Sequence, residues 1–469
     1  MAESGLRPVR PGTTAHVGLG LVAAALAARF VWAGDASYTF NEATYVELAR
    51  HPWWSSFYPD QVFLRHPPLA FIVMAAWQAV FGDAEVVMRL PALAATLAGS
   101  WALWHASWRL GGDRAALLAG IVLAAAWPLH AYSLQATMYP FAFAAAAGAA
   151  WARAHERDLA EGVWLVVFAL IHLFGFLFLA LWGWEHRHRL AWVVKVGWPA
   201  AAWLGASMVV ALLANTEGDI MRLGALGQAV RGGSTATDAV ATRPAIHFAA
   251  GALGVWSLNL LLMARAATSP EARKRFAGWQ IGVGLLAVYL FFAPPYPRYA
   301  LLLLPFVLVA AASVPWPTGA PRRPTSAWTA AAVVGLLSFP IGFAYLTEGP
   351  DPRAAGDVPG VQEWADAWAL LPEGAAIVAT SGPTATAFYD MEAGLEVTNR
   401  TQAPYLIELQ GGDRLIVRLD APEDVAALEL AADAWIVPDH WPGMDDDLVA
   451  RGAGLCGQVA GLKVFGQNC

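Results

Sequence analysis

The sequence predicts a polytopic α-helical membrane protein that carries an α/β domain at its C-terminal end. The 469 residues are 58% hydrophobic and only 14% charged, whereas ordinary soluble domains are about 25% charged. Apolar runs of nearly membrane-spanning length recur as far as about residue 346. Beyond this point acidic residues become common, and short β-rich runs alternate with helical ones.

The apolar runs predict about eleven transmembrane helices. A tail of residues 1–15 precedes the first run, which is too long for the apolar part of a signal peptide. Residues 68–82 are apolar but too few to cross a bilayer, which favours a re-entrant or interfacial helix. The predicted spans are 16–34, 87–108, 115–133, 138–152, 162–173, 174–185, 196–214, 244–264, 277–293, 300–316 and 326–346.

The distribution of Lys and Arg predicts the orientation in the membrane. Alternate loops carry grouped cations, such as Arg273, Lys274 and Arg275, and the loops between them carry only scattered ones. Because cytoplasmic loops are rich in Lys and Arg, the N-terminus is expected in the cytoplasm. With eleven crossings, residues 347–469 lie on the opposite side. The chain has no basic patch that would bind nucleic acid.

Residues 347–469 are expected to form a small three-layer α/β domain. Cys456 and Cys469 flank its last predicted strand, and a disulfide between them is chemically reasonable outside the cytoplasm. Two free thiols are the alternative. The predicted helices are 358–371, 384–391, 422–432 and 446–451, and the predicted strands are 375–380, 414–419, 434–438 and 459–465.

The predicted first outside loop, residues 35–86, carries a series of short motifs. It reads FNEATY over residues 40–45, RHPPL over 65–69 and FG at 81–82, and RLP follows at 89–91. Further along the chain, LIHLFG covers residues 170–175, and Arg298 and Tyr299 open a span that contains Pro305. In this order the motifs resemble the GT-C fold glycosyltransferases, in particular the protein mannosyltransferase and aminoarabinose transferase group, over about residues 16–346.

This resemblance implies a membrane enzyme that takes a sugar from a polyprenyl-phosphate carrier and attaches it to an acceptor outside the cytoplasm. The expected location is a bacterial cytoplasmic (inner) membrane. The transmembrane domain would then be residues 16–346, with the site at the outer face between the first outside loop and the helix bundle. The sequence does not identify the sugar or the acceptor.

The resemblance assigns the general base to the acidic pair of the first motif. The first position of this pair is Asn41 instead of an aspartate, so Glu42 is the carboxylate that remains. A carboxylate can take the proton of an acceptor hydroxyl, whereas an amide cannot. A solvated loop carboxylate, or a residue at the start of a helix, is the alternative for Glu42.

Cations and aromatic side chains of the other motifs are candidates for binding the lipid phosphate. Arg298 and Arg89 lie at the outer ends of predicted spans, where an arginine binds phosphate, forms an ion pair or extends to the interface. We expect phosphate binding for Arg298 and a structural ion pair for Arg89. His172 is expected to be a hydrogen-bonded structural histidine. The remaining candidates, for which lipid-headgroup contact or helix packing is the alternative, are Arg65, His66, Tyr139 and Tyr299.

No group of residues has convincing metal-ligand spacing, and no cofactor is predicted with certainty. Asp35, Glu42, Asp60 and His66 could converge on a divalent cation, but we do not expect this arrangement.

Two other functions remain open. Asn41 would fit a relative that has lost its chemistry and acts as a lipid-binding or structural subunit, with a membrane protein partner. A transporter is disfavoured, because the spans contain few charges and no evident inverted repeat.

Overall fold

The computed structural model divides into two compact units. The first comprises Met1–Ala33, Phe63–Ala70 and Arg89–Pro350, and the second comprises Gly34–Val62, Phe71–Met88 and Asp351–Cys469. The structure describes residues 10–33, 42, 45–46, 49, 67–82, 84–213, 257–291, 297–314, 367–380, 395–400, 407–411, 414–418, 432–438, 444–459, 462–467 and 469. Asn41, Arg65, His66 and the predicted span 326–346 lie outside this set.

The described part of the chain as far as residue 314 is helical. Segments within Thr13–Phe30 and Val86–Ala125 are long and apolar enough to cross a membrane by themselves. The helices are α1 (Thr13–Ala33), α2 (Leu69–Phe81), α3 (Glu85–Ala125), α4 (Trp127–Tyr132), α5 (Met138–Ala154), α6 (Asp158–Ala169), α7 (Phe174–Glu185), α8 (Leu190–Leu213), α9 (Ser257–Ala267), α10 (Pro270–Arg275), α11 (Ala277–Phe291) and α12 (Pro297–Ala312).

Residues 109–114 were expected to connect two spans, and the helical backbone of α3 is interrupted within this segment at Gly112, which has a φ of 71° and a ψ of −165°. Glycine takes this positive-φ conformation without steric cost. One predicted boundary in this region differs from the structure. The span expected at 162–173 begins at Asp158, because Glu161 is buried at the start of α6 by an ion pair with Arg153.

Arg153 holds one end of the helix bundle together. Its Nε donates to Glu161 Oε2 at 2.6 Å, and its Nη2 donates to Glu185 Oε2 at 2.5 Å. The second oxygen of Glu185 accepts the backbone N–H of Gly278 at 3.0 Å. Glu161 is only 1% exposed, so its charge requires this pairing. The network joins α5, α6, α7 and α11.

Glycines allow close contact between helices. A Cβ atom built at Gly18 of α1 would lie 2.9 Å from the carbonyl oxygen of Ala116 in α3, and one at Gly120 would contact the backbone of Gly18. The two backbones therefore meet at a small-residue crossing, a packing mode that membrane helices favour.

The C-terminal part of the second unit contains a seven-stranded mixed sheet of order β2-β3-β4-β1-β5-β7-β6. Strands β4 and β5 pair with the central β1 in parallel, and the outer pairs are antiparallel. Helix α13 (Met444–Ala450) precedes β6. The strands are β1 (Ile377–Thr380), β2 (Leu395–Arg400), β3 (Ile407–Gly411), β4 (Arg414–Arg418), β5 (Ala434–Pro438), β6 (Gly454–Val459) and β7 (Leu462–Gly466).

Three strands of the sheet, β2, β3 and β6, were not expected. The strand predicted at 459–465 begins too early, because Val459 ends β6 and pairs with Leu462 across a two-residue connection. Cys456 of β6 and Cys469 form a disulfide, with their Cα atoms 5.0 Å apart. The predicted helix 384–391, residues 422–431 of the predicted helix 422–432, and residues 358–366 of the predicted helix 358–371 lie outside the described residues.

Candidate functional site

Five residues at one end of the first unit form what we call the aromatic–cationic cluster: Tyr139, His172, Phe174, Arg298 and Tyr299. Tyr139 lies in the first turn of α5, and Arg298 and Tyr299 lie in the first turn of α12. Pro297 opens α12, a position where the missing N–H of proline costs no helical hydrogen bond. His172 lies in the short connection between α6 and α7.

The guanidinium of Arg298 lies against two tyrosine rings. Its Cζ atom is 5.5 Å from the ring centroid of Tyr139 and 5.4 Å from that of Tyr299. Both distances are within the range of an attractive cation–π contact. Arg298 and Tyr299 are half-buried, whereas Tyr139 is buried. The rings therefore orient a partly accessible cation at this end of the bundle.

His172 lies between the two tyrosines. Its ring centroid is 6.1 Å from that of Tyr139, 6.2 Å from that of Tyr299 and 4.7 Å from that of Phe174. The backbone N–H of Phe174 donates to His172 Nδ1 at 3.2 Å. Because Nδ1 accepts, Nε2 carries the proton of the neutral ring. The structure thus agrees with a hydrogen-bonded histidine and also places it within the cluster.

The turn that carries His172 is fixed on both sides. A side chain at Gly175 would collide with the backbone of Phe168 and Ala169, so this position accommodates only glycine without rearrangement. Leu170 O accepts the N–H of Leu69, the first donor of α2, at 3.0 Å. Pro67 and Pro68 have no N–H to donate. The RHPPL motif therefore ends against the LIHLFG turn.

Glu42 lies on a buried helical stripe of the second unit. Residues 42, 45, 46 and 49 are helical and buried, a spacing of one face of a helix. The ring of Tyr45 stacks on that of Phe71 with centroids 4.9 Å apart. Glu42 itself is 1% exposed, so it is not a solvated loop carboxylate.

The other predicted site residues stand as follows. Arg89 is buried at 5% exposure on α3. Arg65, His66 and Asn41 lie outside the described residues. Among the residues that the structure describes, no three His, Cys, Asp or Glu side chains are grouped so that they could hold a metal ion.

Sequence reasoning missed two aromatic residues, namely Tyr132, a neighbour of the cluster, and Phe174, one of its members. Tyr132 packs edge-on against Tyr139 with centroids 5.4 Å apart, and Phe174 lies 5.1 Å from Tyr299. Both belong to apolar segments, in which the sequence pattern does not distinguish an aromatic side chain that faces a site from one that faces lipid. The Trp-Pro dipeptide at the start of α4, a few residues before Tyr132, is the one local sequence signal of a helix break in this segment.

Comparison with solved structures identifies the fold. The chain superposes on ArnT from Cupriavidus metallidurans bound to undecaprenyl phosphate with a TM-score of 0.57 and 17% identity, over 97% of this chain and 98% of that one. The chain has a GT-C fold. The apo state of the same ArnT gives a TM-score of 0.54 and 14% identity, over 97% and 98% of the two chains.

The chain is also similar to a family model and to a third solved structure. The family model of dolichyl-phosphate-mannose-protein mannosyltransferases matches residues 65–180. The Archaeoglobus fulgidus oligosaccharyltransferase, in its complex with zinc and sulfate, gives a TM-score of 0.48 and 11% identity, over 95% of this chain and 72% of that one. No curated protein sequence matches the chain. The predicted resemblance to GT-C glycosyltransferases is confirmed, and so is the prediction of a polytopic membrane protein.

Proposed function

We propose that this GT-C protein is a membrane glycosyltransferase that uses a polyprenyl-phosphate sugar as donor. The observation that carries the proposal is the aromatic–cationic cluster, which presents the guanidinium of Arg298 between two tyrosine rings. Guanidinium is a strong ligand for phosphate oxygens. The starts of α5 and α12 also favour an anion, because helix N-termini carry partial positive charge.

Two relatives support the nature of the donor. The ArnT structure was solved with undecaprenyl phosphate, and the matched family model is that of enzymes named for dolichyl-phosphate-mannose. Both names describe a polyprenyl phosphate. In this chain we assign the phosphate to Arg298 and Tyr299, with Arg65 and His66 as further cations and Arg89 as a structural residue.

Glu42 is the proposed general base. In the reaction, the acceptor hydroxyl gives its proton to the carboxylate, and its oxygen forms a bond to the anomeric carbon of the sugar. The bond from that carbon to the phosphate oxygen breaks, and the electron pair leaves with the polyprenyl phosphate. A carboxylate can take the proton of a hydroxyl, which suits this role.

The remaining parts of the proposal follow the sequence prediction. About eleven helices cross a bacterial inner membrane, the N-terminus is cytoplasmic, and the α/β domain lies outside the cytoplasm. The acceptor binds at the outer face. A divalent cation could assist departure of the phosphate.

The Glu42→Gln variant tests the assignment of the base. In membranes supplied with a panel of polyprenyl-phosphate sugars, release of polyprenyl phosphate should fall about 100-fold or more relative to the wild type. Glu156→Gln is the matched control, because Glu156 is an exposed carboxylate paired with Arg275. Full activity of a folded Glu42→Gln protein would exclude this residue as base. A wild type that binds the donors but transfers none would favour a non-catalytic subunit.

A further inference from the structure

A second basic cluster lies at the opposite end of the first unit. Helix α5 separates it from the aromatic–cationic cluster, since Tyr139 and His155 stand at the two ends of this 17-residue helix, a length of about 25 Å. The basic cluster contains two histidines, His105 of α3 and His155 after α5, with their rings stacked at 5.1 Å between centroids. The proposed transfer reaction makes no use of it.

The hydrogen bonds of the two histidines define their protonation. Trp151 Nε1 donates to His105 Nδ1 at 3.1 Å, so His105 carries its proton on Nε2. His155 Nδ1 lies 2.8 Å from the carbonyl oxygen of Trp151 and must donate to it. Nε2 of neutral His155 is therefore an acceptor. When the pair gains a proton, it goes to His155, because protonating His105 would break its bond from Trp151.

The charges that surround the pair are positive. Arg109 of α3 and Arg157 both act on His155, and the guanidinium of Arg157 lies 5.1 Å from the ring centroid of Trp151. The nearby acids are engaged elsewhere: Asp113 accepts the N–H groups of Gly12 and of Trp108, and Glu156 pairs with Arg275.

Arg153 is likewise engaged, with Glu161 and Glu185. His16 of α1 is a further titratable neighbour, 5.7 Å from Trp104 between ring centroids. The cluster is thus a surface of excess positive charge.

This surface continues into an apolar face of α3. Leu97, Trp101, His105 and Arg109 follow one another at intervals of four residues, which places them along one side of the helix. Leu97 is 40% exposed and Trp101 is 47% exposed, and Trp101 stacks on His105 at 5.4 Å. In a bilayer, exposed leucine side chains lie among the acyl chains, tryptophan lies at the interface, and cations lie at the headgroups. This face of α3 presents its side chains in the same order.

We propose that His105, Arg109, His155 and Arg157 form a binding site for the phosphate of an anionic phospholipid, whose acyl chain lies along Leu97 and Trp101. His105 donates from Nε2, and the two arginines provide permanent charge. The site is separate from the donor site and lies at the other membrane face.

Proton uptake by His155 couples this site to pH. Burial, together with the charges of Arg109 and Arg157, lowers the pKa of His155 below its ordinary value. A bound phosphate monoanion raises this pKa again, because it stabilises the imidazolium. Binding therefore takes up a proton, and the affinity for anionic lipid increases as pH falls.

Native mass spectrometry of the purified full chain tests the site. Phosphatidylglycerol should bind about fivefold more tightly than phosphatidylcholine, and more tightly at about pH 5.5 than at about pH 8. Arg157→Gln should remove the preference, and His155→Gln should remove its pH dependence. Arg187→Gln is the matched control, because Arg187 is also exposed and lies 4.7 Å from the ring centroid of Trp184.

Three outcomes would overturn the proposal. Equal binding of the two lipids would show that the surface does not select an anionic headgroup. An unchanged preference in Arg157→Gln would place the lipid elsewhere. Displacement of the lipid by inorganic phosphate alone would assign the site to a free anion. The two variants change a connecting segment with exposed or half-buried side chains, and circular dichroism verifies that each is folded.

Discussion

At the residue scale, the candidate site depends on how the two tyrosines hold Arg298. A guanidinium between aromatic faces loses less freedom on binding an anion than one on a mobile side chain. The motifs of the sequence pointed to Tyr139, Arg298 and Tyr299 individually. They did not show that α5, α12 and the α6–α7 connection bring these residues together, because such contacts depend on tertiary packing.

Substitution of Tyr139 tests the role of its ring. Tyr139→Leu removes the aromatic face beneath Arg298 and should weaken binding of polyprenyl phosphate by about threefold to tenfold. Tyr139→Phe keeps the face and should stay within about twofold of the wild type. Binding is measured by titration of the lipid phosphate into the detergent-solubilised protein. An equal loss in both variants would show that the hydroxyl, and not the ring, matters.

At the element scale, most helices could be predicted because a lipid environment demands continuous apolar runs. The errors arose where side chains outside a run decide the boundary. The start of α6 at Asp158 depends on the pairing of Glu161 with Arg153, a residue of the preceding helix. Strands β2 and β3 were not predicted, because segments such as LEVTNR, over residues 395–400, contain too few apolar residues for a clear alternation of apolar and polar side chains.

The glycine crossing of α1 and α3 gives a prediction with a matched control two residues away. Gly18→Ala places a methyl group 2.9 Å from the backbone of Ala116 and Leu117, which should destabilise the protein by about 1–3 kcal/mol. A Cβ atom at Gly20 meets nothing within 4 Å, so Gly20→Ala should be neutral or stabilise slightly, since alanine favours helix. Thermal unfolding in detergent compares the two variants. The same melting temperature for both would contradict the close crossing.

At the scale of the whole molecule, the oxidation state of the two cysteines depends on the side of the membrane on which the C-terminal domain lies. The disulfide between Cys456 and Cys469 is expected to persist only in an oxidising compartment. The predicted count of eleven spans and the distribution of Lys and Arg lead us to propose that this domain lies outside the cytoplasm. The disulfide is compatible with this proposed orientation.

Labelling in intact cells tests this orientation. A membrane-impermeant maleimide should label neither cysteine until a reductant is added, and should label both afterwards. A green fluorescent protein fused after Cys469 should stay dark, whereas an alkaline phosphatase fusion should be active. Fluorescence of the first fusion, or labelling only after lysis, would place the domain in the cytoplasm and require an even number of spans.

Retention of undecaprenyl phosphate by the purified protein tests the proposed glycosyltransferase most directly. Native mass spectrometry should show the lipid bound to the wild type and to Arg187→Ala, the exposed control. In Arg298→Ala, where the cation of the aromatic–cationic cluster is removed, the affinity should fall about tenfold or more. No binding by the wild type after addition of the lipid, or equal binding by Arg298→Ala, would contradict the account.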